Sequence, residues 1–328
     1  MRLYIPPNLA DSTPPNLPVS SETAPPAGPS NLRQRVVYGL IGAAMLLSSV
    51  WFSPWTFGLF FAAVQAVMLW EFYRMMRAGG YAPATWIGVG AGIILFAIPF
   101  AGAYWLNLIF TTKYPEATDL LQMYEERQAE TWYILAGVAI GTLIFVSFIL
   151  LVREVVLWPK YQQPFMNMAS VLGGLFYVSV PMTLMTAIAF NHYTYTYDPR
   201  RIFALLFLIW ASDIGAYVAG KTFGKHKMAP QISPGKTWEG WAGGFVLTLV
   251  VGWAVGFMLP DMPLAHRLVA AGVVAVFAPL GDLAESMLKR SVGVKDSGSI
   301  MPGHGGLLDR FDAFLLVLPV LALLQLLF

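Results

Sequence analysis

The sequence predicts an all-α polytopic membrane protein of about nine transmembrane helices, with a cytoplasm-facing polar site built from the carboxy-terminal spans. Three observations carry that prediction. The chain is 57% hydrophobic and only 12% charged. It divides into apolar runs of the ~20 residues needed to cross ~30 Å of hydrocarbon. Its charged residues gather in a few loops instead of covering a water-facing surface. A mean hydropathy of +0.62 points the same way. There is no cysteine, which excludes disulfides, thiolate zinc sites and cysteine nucleophiles. The formal charge of +2 is too small to argue for a nucleic-acid partner.

Residues 1–30 hold eight of the 23 prolines among serine, threonine and asparagine, too little apolar surface to fold alone, so a disordered tail is expected. This stretch lacks the basic start, apolar core and small-residue cleavage site of a secretory signal. The first apolar run, after Arg33 and Arg35, is therefore expected to remain as an anchor. Nine spans follow, at about 35–52, 54–73, 84–110, 131–152, 166–190, 201–220, 238–259, 265–288 and 307–328. Pro279 interrupts the eighth, which turns polar from Asp282 and is expected to kink and leave the bilayer as an amphipathic helix. The segment 111–130 mixes acidic residues with Leu120, Leu121, Met123 and Tyr124, as suits either a helix lying at the interface or a solvated loop.

Lysine and arginine concentrate on the cytoplasmic side of membrane proteins. With the amino terminus inside, nine spans place 15 of the 20 there, leaving Lys113, Arg127, Arg200, Arg201 and Arg267 outside. That topology brings two unusual loops to one face.

The first is ASDIGAYVAGKTFGKHKMAPQISPGKTWEG, residues 211–240. Asp213 lies within an apolar run, with Tyr217 four residues on and so on the same helical face. A carboxylate there needs a partner; a structural pair with a lysine is the plain alternative to a functional role. Beyond it, Gly220, Lys221, Gly224, Lys225, Lys227, Ser233 and Lys236 combine close backbone approach with compact positive charge, which suits a polyphosphate. The Walker spacing is absent. Positive-inside topology alone also accounts for the lysines.

The second loop ends the eighth span: PLGDLAESMLKRSVGVKDSGSIMPGHGGLLDRFD, residues 279–312. Asp282, Glu285 and Ser286 share a helical face, and Asp309 and Asp312 share one on the next helix. Two acidic helix ends joined by a glycine-rich turn can converge on a hard cation such as Mg²⁺, which takes carboxylate oxygens and leaves room for phosphates. Lys289, Arg290, Lys295 and Arg310 supply positive charge nearby. Helix capping and mutual pairing are the plainer explanation, but ionisable groups beside hydrocarbon are costly and here more numerous than capping needs.

The pattern Ser286-x2-Lys289-Arg290-x4-Lys295-Asp296-x6-Gly303-His304-Gly305-Gly306-x2-Asp309-Arg310-x-Asp312 resembles the signature of the phosphatidate cytidylyltransferase family, also called CDP-diacylglycerol synthases. Asp213, Tyr217, Gly220, Lys221, Ser233, Lys236, Thr237, Glu239 and Gly240 are similar to that family as well, so the likeness covers roughly residues 200–328. The resemblance implies a reaction of CTP with phosphatidic acid on the cytoplasmic face of a bacterial-type inner membrane, with Mg²⁺ as cofactor. The apolar runs make residues 31–200 amino-terminal membrane helices, and the resemblance makes 201–328 a catalytic region with cytoplasmic loops 221–237 and 289–306. Asp282 and Asp309 would bind the metal, with Asp312 beside them or on a second cation. Ser233 and Lys236 would hold nucleotide phosphates; Lys289, Arg290, Lys295 and Arg310 would steady phosphatidate or diphosphate, and Lys221 would bind substrate as well. Asp213 would support or touch the nucleotide, and His304 would donate to a phosphate oxygen. The sequence leaves monomer and homodimer both open. A CTP-dependent lipid kinase of the polyprenol-kinase type shares these features but transfers the terminal phosphate to an alcohol. A transporter predicts polar groups at the midplane and repeated halves, neither of which the sequence shows.

Overall fold

The computed structural model describes residues 31–113, 120–161, 163–191, 196–298, 300 and 305–327. The expected tail (1–30) and His304 lie outside them. The elements are α1 (Asn31–Phe52), α2 (Pro54–Ala78), α3 (Thr85–Lys113), α4 (Leu120–Leu157), α5 (Pro164–Gly174), a π-helical turn (Leu175–Ser179), α6 (Val180–Ala189), α7 (Pro199–Phe223), β1 (Lys227–Ala229), β2 (Ser233–Thr237), α8 (Trp238–Ala254), a 3₁₀ turn (Val255–Phe257), α9 (Leu264–Ser291) and α10 (Leu308–Leu327). Among the described residues, seven helical segments are long and apolar enough to cross a membrane: α2, α3, α4, α5 to α6, α7, α8 with its 3₁₀ turn, and α9. α1 adds a shorter apolar stretch, Val36–Phe52. α10 is 20 residues long but opens with Asp309, Arg310 and Asp312. The protein is thus a helical polytopic membrane protein. Its outward-facing Trp51, Phe52, Ile144, Phe148 and Val156 are exposed apolar groups that suit lipid as their solvent.

Local chemistry starts the helices. Ser53 forms a reciprocal box with Thr56 (both backbone-to-hydroxyl bonds 3.1 Å), and Pro54 sits at the first helical position of α2, where its missing N–H costs nothing. Asp198 caps α7 by accepting from the Arg200 N–H at 3.0 Å, again with proline next.

Two expectations change. The segment before the fourth span is no separate interfacial helix: α4 runs unbroken for 38 residues, about 57 Å at ~1.5 Å per residue, so residues 120–130 extend the membrane helix itself. The fold is also not wholly helical. β1 and β2 pair antiparallel, with Lys227 opposite Thr237, because Glu239 gathers this loop: its carboxylate accepts from the N–H groups of Lys225 and His226 and meets His226 Nδ1 at 2.5 Å.

Close packing uses small residues. A Cβ on Gly215 of α7 would lie 2.7 Å from the Gly243 carbonyl oxygen and 2.9 Å from Gly244 Cα, so α7 and α8 touch backbone to backbone. One core joins both halves of the chain: Phe57, Phe61 and Met68 of α2, Leu175 and Met182, and Leu308, Phe314 and Leu318 of α10 are all buried in it. Phe61 meets Phe311 edge-on at 6.2 Å between centroids.

α9 remains helical past Pro279. The proline ring lacks the N–H that would bond the Ala275 carbonyl four residues back, and the indole N–H of Trp241 takes that acceptor instead, at 3.2 Å. The Pro279 carbonyl is engaged too, by Lys236 Nζ at 3.0 Å.

Candidate active site

α9 and α10 approach closely at Gly281, where a Cβ would stand 2.5 Å from the Asp312 carbonyl oxygen. Only glycine allows this contact, and it sets Asp282 beside Asp312. Glu285, one turn further along α9, completes a group in which one carboxylate oxygen from each of Asp282, Glu285 and Asp312 lies within 4.8 Å of the others. Glu285 is fully buried. In the sequence pattern it shares the Asp282 face but has no assigned role; the structure puts it in the cluster.

Asp309, one turn before Asp312, adjoins Glu285 and Lys289 of α9. One oxygen meets Lys289 Nζ at 2.7 Å, and the other accepts from the Gly306 N–H at 2.8 Å and the Ser297 N–H at 3.2 Å. Gly305 has a φ of +82°, a left-handed turn that aims the following N–H back at this first-turn carboxylate. Lys289 also meets Glu285 at 2.5 Å, so one ammonium joins the cluster to the loop anchor. The tightest carboxylate group is thus Asp282, Glu285 and Asp312, and Asp309 adjoins it through Glu285 and Lys289.

The hairpin supplies a second cation. Lys236 Nζ lies 2.7 Å from Asp282, which brings β2 onto α9. Thr237 then caps α8, its hydroxyl accepting from the Gly240 N–H at 3.1 Å. Asp213 of α7 stands within electrostatic reach of Asp282, Asp312 and Lys236. Asp213, Lys236, Asp282, Lys289 and Asp312 are thus brought to one place. Lys221 instead covers the Tyr217 ring at 5.6 Å. Arg290, Lys295 and Arg310 are exposed, and Ser233 is half-buried at the start of β2.

Sequence reasoning passed over α2. Glu71 is fully buried, and its Oε2 accepts from the Leu308 N–H at 2.9 Å and lies 3.4 Å from the Ser297 hydroxyl. Arg74, one turn on, donates to the Ser297 carbonyl at 2.7 Å. A Cβ on Gly306 would stand 2.6 Å from the Glu71 carboxylate, so the glycine lets the loop backbone reach it. The signal was present: an acidic residue inside an apolar run, the same feature that singled out Asp213.

A helical membrane protein that gathers carboxylates and lysines where its helices meet a hairpin and a glycine-rich loop is equipped to handle phosphate oxygens beside lipid. The chain belongs to the Cytidylyltransferase family, whose profile matches residues 33–328. It is 32% identical over 302 residues to the phosphatidate cytidylyltransferase of Bacillus subtilis (strain 168), covering 91% of this chain and 99% of that one. It is also 32% identical over 299 residues to the phosphatidate cytidylyltransferase of Haemophilus influenzae, covering 88% of this chain and 96% of that one. With the protein of the same name from Staphylococcus aureus (strain COL) the identity is 40% over 223 residues, 67% of this chain and 82% of the relative.

Proposed function

We propose that the protein is a phosphatidate cytidylyltransferase, converting CTP and phosphatidic acid to CDP-diacylglycerol and pyrophosphate. A phosphate oxygen of phosphatidate attacks the α-phosphorus of CTP, the bond from that phosphorus to the bridging oxygen breaks, and pyrophosphate leaves with the electron pair. A phosphomonoester is already largely ionised near neutral pH, so positioning and charge neutralisation matter more than a strong base. The observation that carries this reading is the convergence of Asp282, Glu285 and Asp312 beside Lys236 at the end of membrane helices, where a soluble nucleotide and a lipid headgroup can both arrive.

The carboxylate cluster fits Mg²⁺. Its donors are all oxygens, and Glu285 Oε1 is buried without a hydrogen-bond partner among the described residues. Asp282, Glu285 and Asp312 would hold the ion, which when bound would offset the charge of the phosphate oxygens. Lys236 stands where it can meet a nucleotide phosphate while tethered to α9 through Asp282 and Pro279. Lys289 offers a second ammonium between Glu285 and Asp309. Asp309 serves as the anchor of Lys289 and of the Ser297–Gly306 loop.

The reading includes nine crossings, α1 and α10 joining the seven, with the site on the cytoplasmic face of an inner membrane. The supporting observation is that this topology puts 15 of 20 basic residues on that side.

The test is the full-length protein in detergent with phosphatidic acid, Mg²⁺ and CTP labelled at the α-phosphate. Label in the lipid with release of pyrophosphate supports the assignment. Lipid labelled only from γ-labelled CTP would mark a lipid kinase instead.

A further inference from the structure

A polar cavity lies beside the α2–α3 turn, on the face of the bundle that carries the carboxylate cluster. Its volume is about 430 Å³, and Arg77, Thr85, Trp86, Arg153 and Tyr161 are among the residues that line it. Nothing in the proposed reaction uses it. The face is fixed by contacts: Arg74, one turn before Arg77, binds the Ser297 carbonyl, and Gly79 packs against Val292.

The cavity is basic. Arg77 and Arg153 both border it, and Lys160 lies over the Tyr161 ring at 5.7 Å. Arg153 lies over the same ring at 5.4 Å. The acid beside them is Glu154, which is buried and held from behind by Asn167 Nδ2 at 3.1 Å and by Arg153. Each guanidinium carries five N–H donors, yet among the described residues both Arg77 and Arg153 make their hydrogen bonds through Nη1 alone: Arg77 to Thr85, Arg153 to Glu154 and the Ala82 carbonyl. Planar donors left over in a cavity suit phosphate oxygens.

The wall is also pre-shaped. Asn167 accepts from the Ala82 N–H at 2.7 Å while donating to Glu154, so α5 and the end of α4 fix the α2–α3 turn that forms the rim. Trp86, which lines the cavity, is 80% exposed, and Trp158, three residues before the lining Tyr161, is 60% exposed. Exposed tryptophans beside arginines mark the headgroup level of a bilayer, where the indole body meets lipid and its N–H meets water. Basic pockets between membrane helices at that level take anionic headgroups.

We propose that this cavity binds the phosphate of an anionic phospholipid headgroup, with Arg77 and Arg153 as its ligands, at a site separate from the Asp282–Glu285–Asp312 cluster. The proposal stands independently of the reaction assigned to that cluster. The experiment uses the full chain, delipidated in mild detergent, and counts lipids retained in native mass spectrometry. The probes are phosphatidylglycerol, phosphatidylcholine with the same acyl chains, and inorganic phosphate. The wild type should retain phosphatidylglycerol in preference to phosphatidylcholine, and Arg77→Gln, at an exposed residue, should cut that retention at least threefold. Arg153→Lys, which keeps a charge beside Glu154, should do the same. Equal retention of the two lipids, or wild-type retention in both variants, overturns the proposal. Stabilisation by inorganic phosphate with no lipid retained assigns the site to a free anion and overturns it too. Loss of cytidylyl transfer with retention intact would strike the function above and leave this site standing.

Discussion

The Glu71 carboxylate accepts the Leu308 N–H at 2.9 Å across 237 positions of sequence. A side chain of the second helix thus holds the first turn of the last, and with Arg74 it fixes the Ser297 end of the glycine-rich loop. Glu71→Ala should leave a buried donor unsatisfied and cost about 1–3 kcal/mol of stability. Glu71→Gln keeps an acceptor and should lose less. Thermal unfolding of both variants in detergent checks the order; equal losses would contradict it.

Asp282→Asn and Asp312→Asn should each lower turnover at least a hundredfold while the proteins stay membrane-integrated. Removing one of three clustered carboxylates should also raise the Mg²⁺ concentration for half-maximal rate. Kinetic titration with the metal measures this, and wild-type activity in either variant would refute the assignment.

Asp309→Asn is expected to behave differently. It weakens the pair with Lys289 and the hold on the Gly306 N–H, so stability and activity should fall together. Comparing melting temperature with kcat separates this from the Asp312 variant, whose fold should persist.

Lys236→Met removes the ammonium 2.7 Å from Asp282. The Asp282 side chain is 45% exposed, so little stability should be lost, about 1 kcal/mol or less as for exposed pairs. Activity should nevertheless drop sharply, with a rise in KM for CTP that steady-state kinetics would show.

Gly281→Ala places a methyl 2.5 Å from the Asp312 carbonyl oxygen. Neither backbone can yield easily, so the helices should part at a cost of about 1–3 kcal/mol, with loss of turnover. A normal melting temperature and normal rate in this variant would show that the crossing is looser than described.

Much of this was legible in the sequence because it depends on local periodicity. Runs of apolar residues mark the helices, and i, i+3 spacings put Asp282 on a face with Glu285 and Asp309 with Asp312. Periodicity does not fix how one helix is rotated against another. The Gly305 turn and the Lys289 pair decide that Asp309 meets Lys289 and the loop N–H groups while Asp312 stands beside Asp282, and neither follows from spacing. Glu71 lay further out of reach, since its partners stand 226 and 237 positions away. The hairpin escaped notice because Glu239 shapes it from the following helix, using side-chain bonds to His226 instead of strand-like alternation.

Lys289 lies 2.5 Å from Glu285 and 2.7 Å from Asp309. An ammonium on a four-carbon stem ordinarily roams through many rotamers, and immobilising it on a ligand forfeits that freedom. Here the carboxyl groups of Glu285 and Asp309 have already stilled it. A newcomer's oxygen would find a donor whose wandering ended when the chain folded.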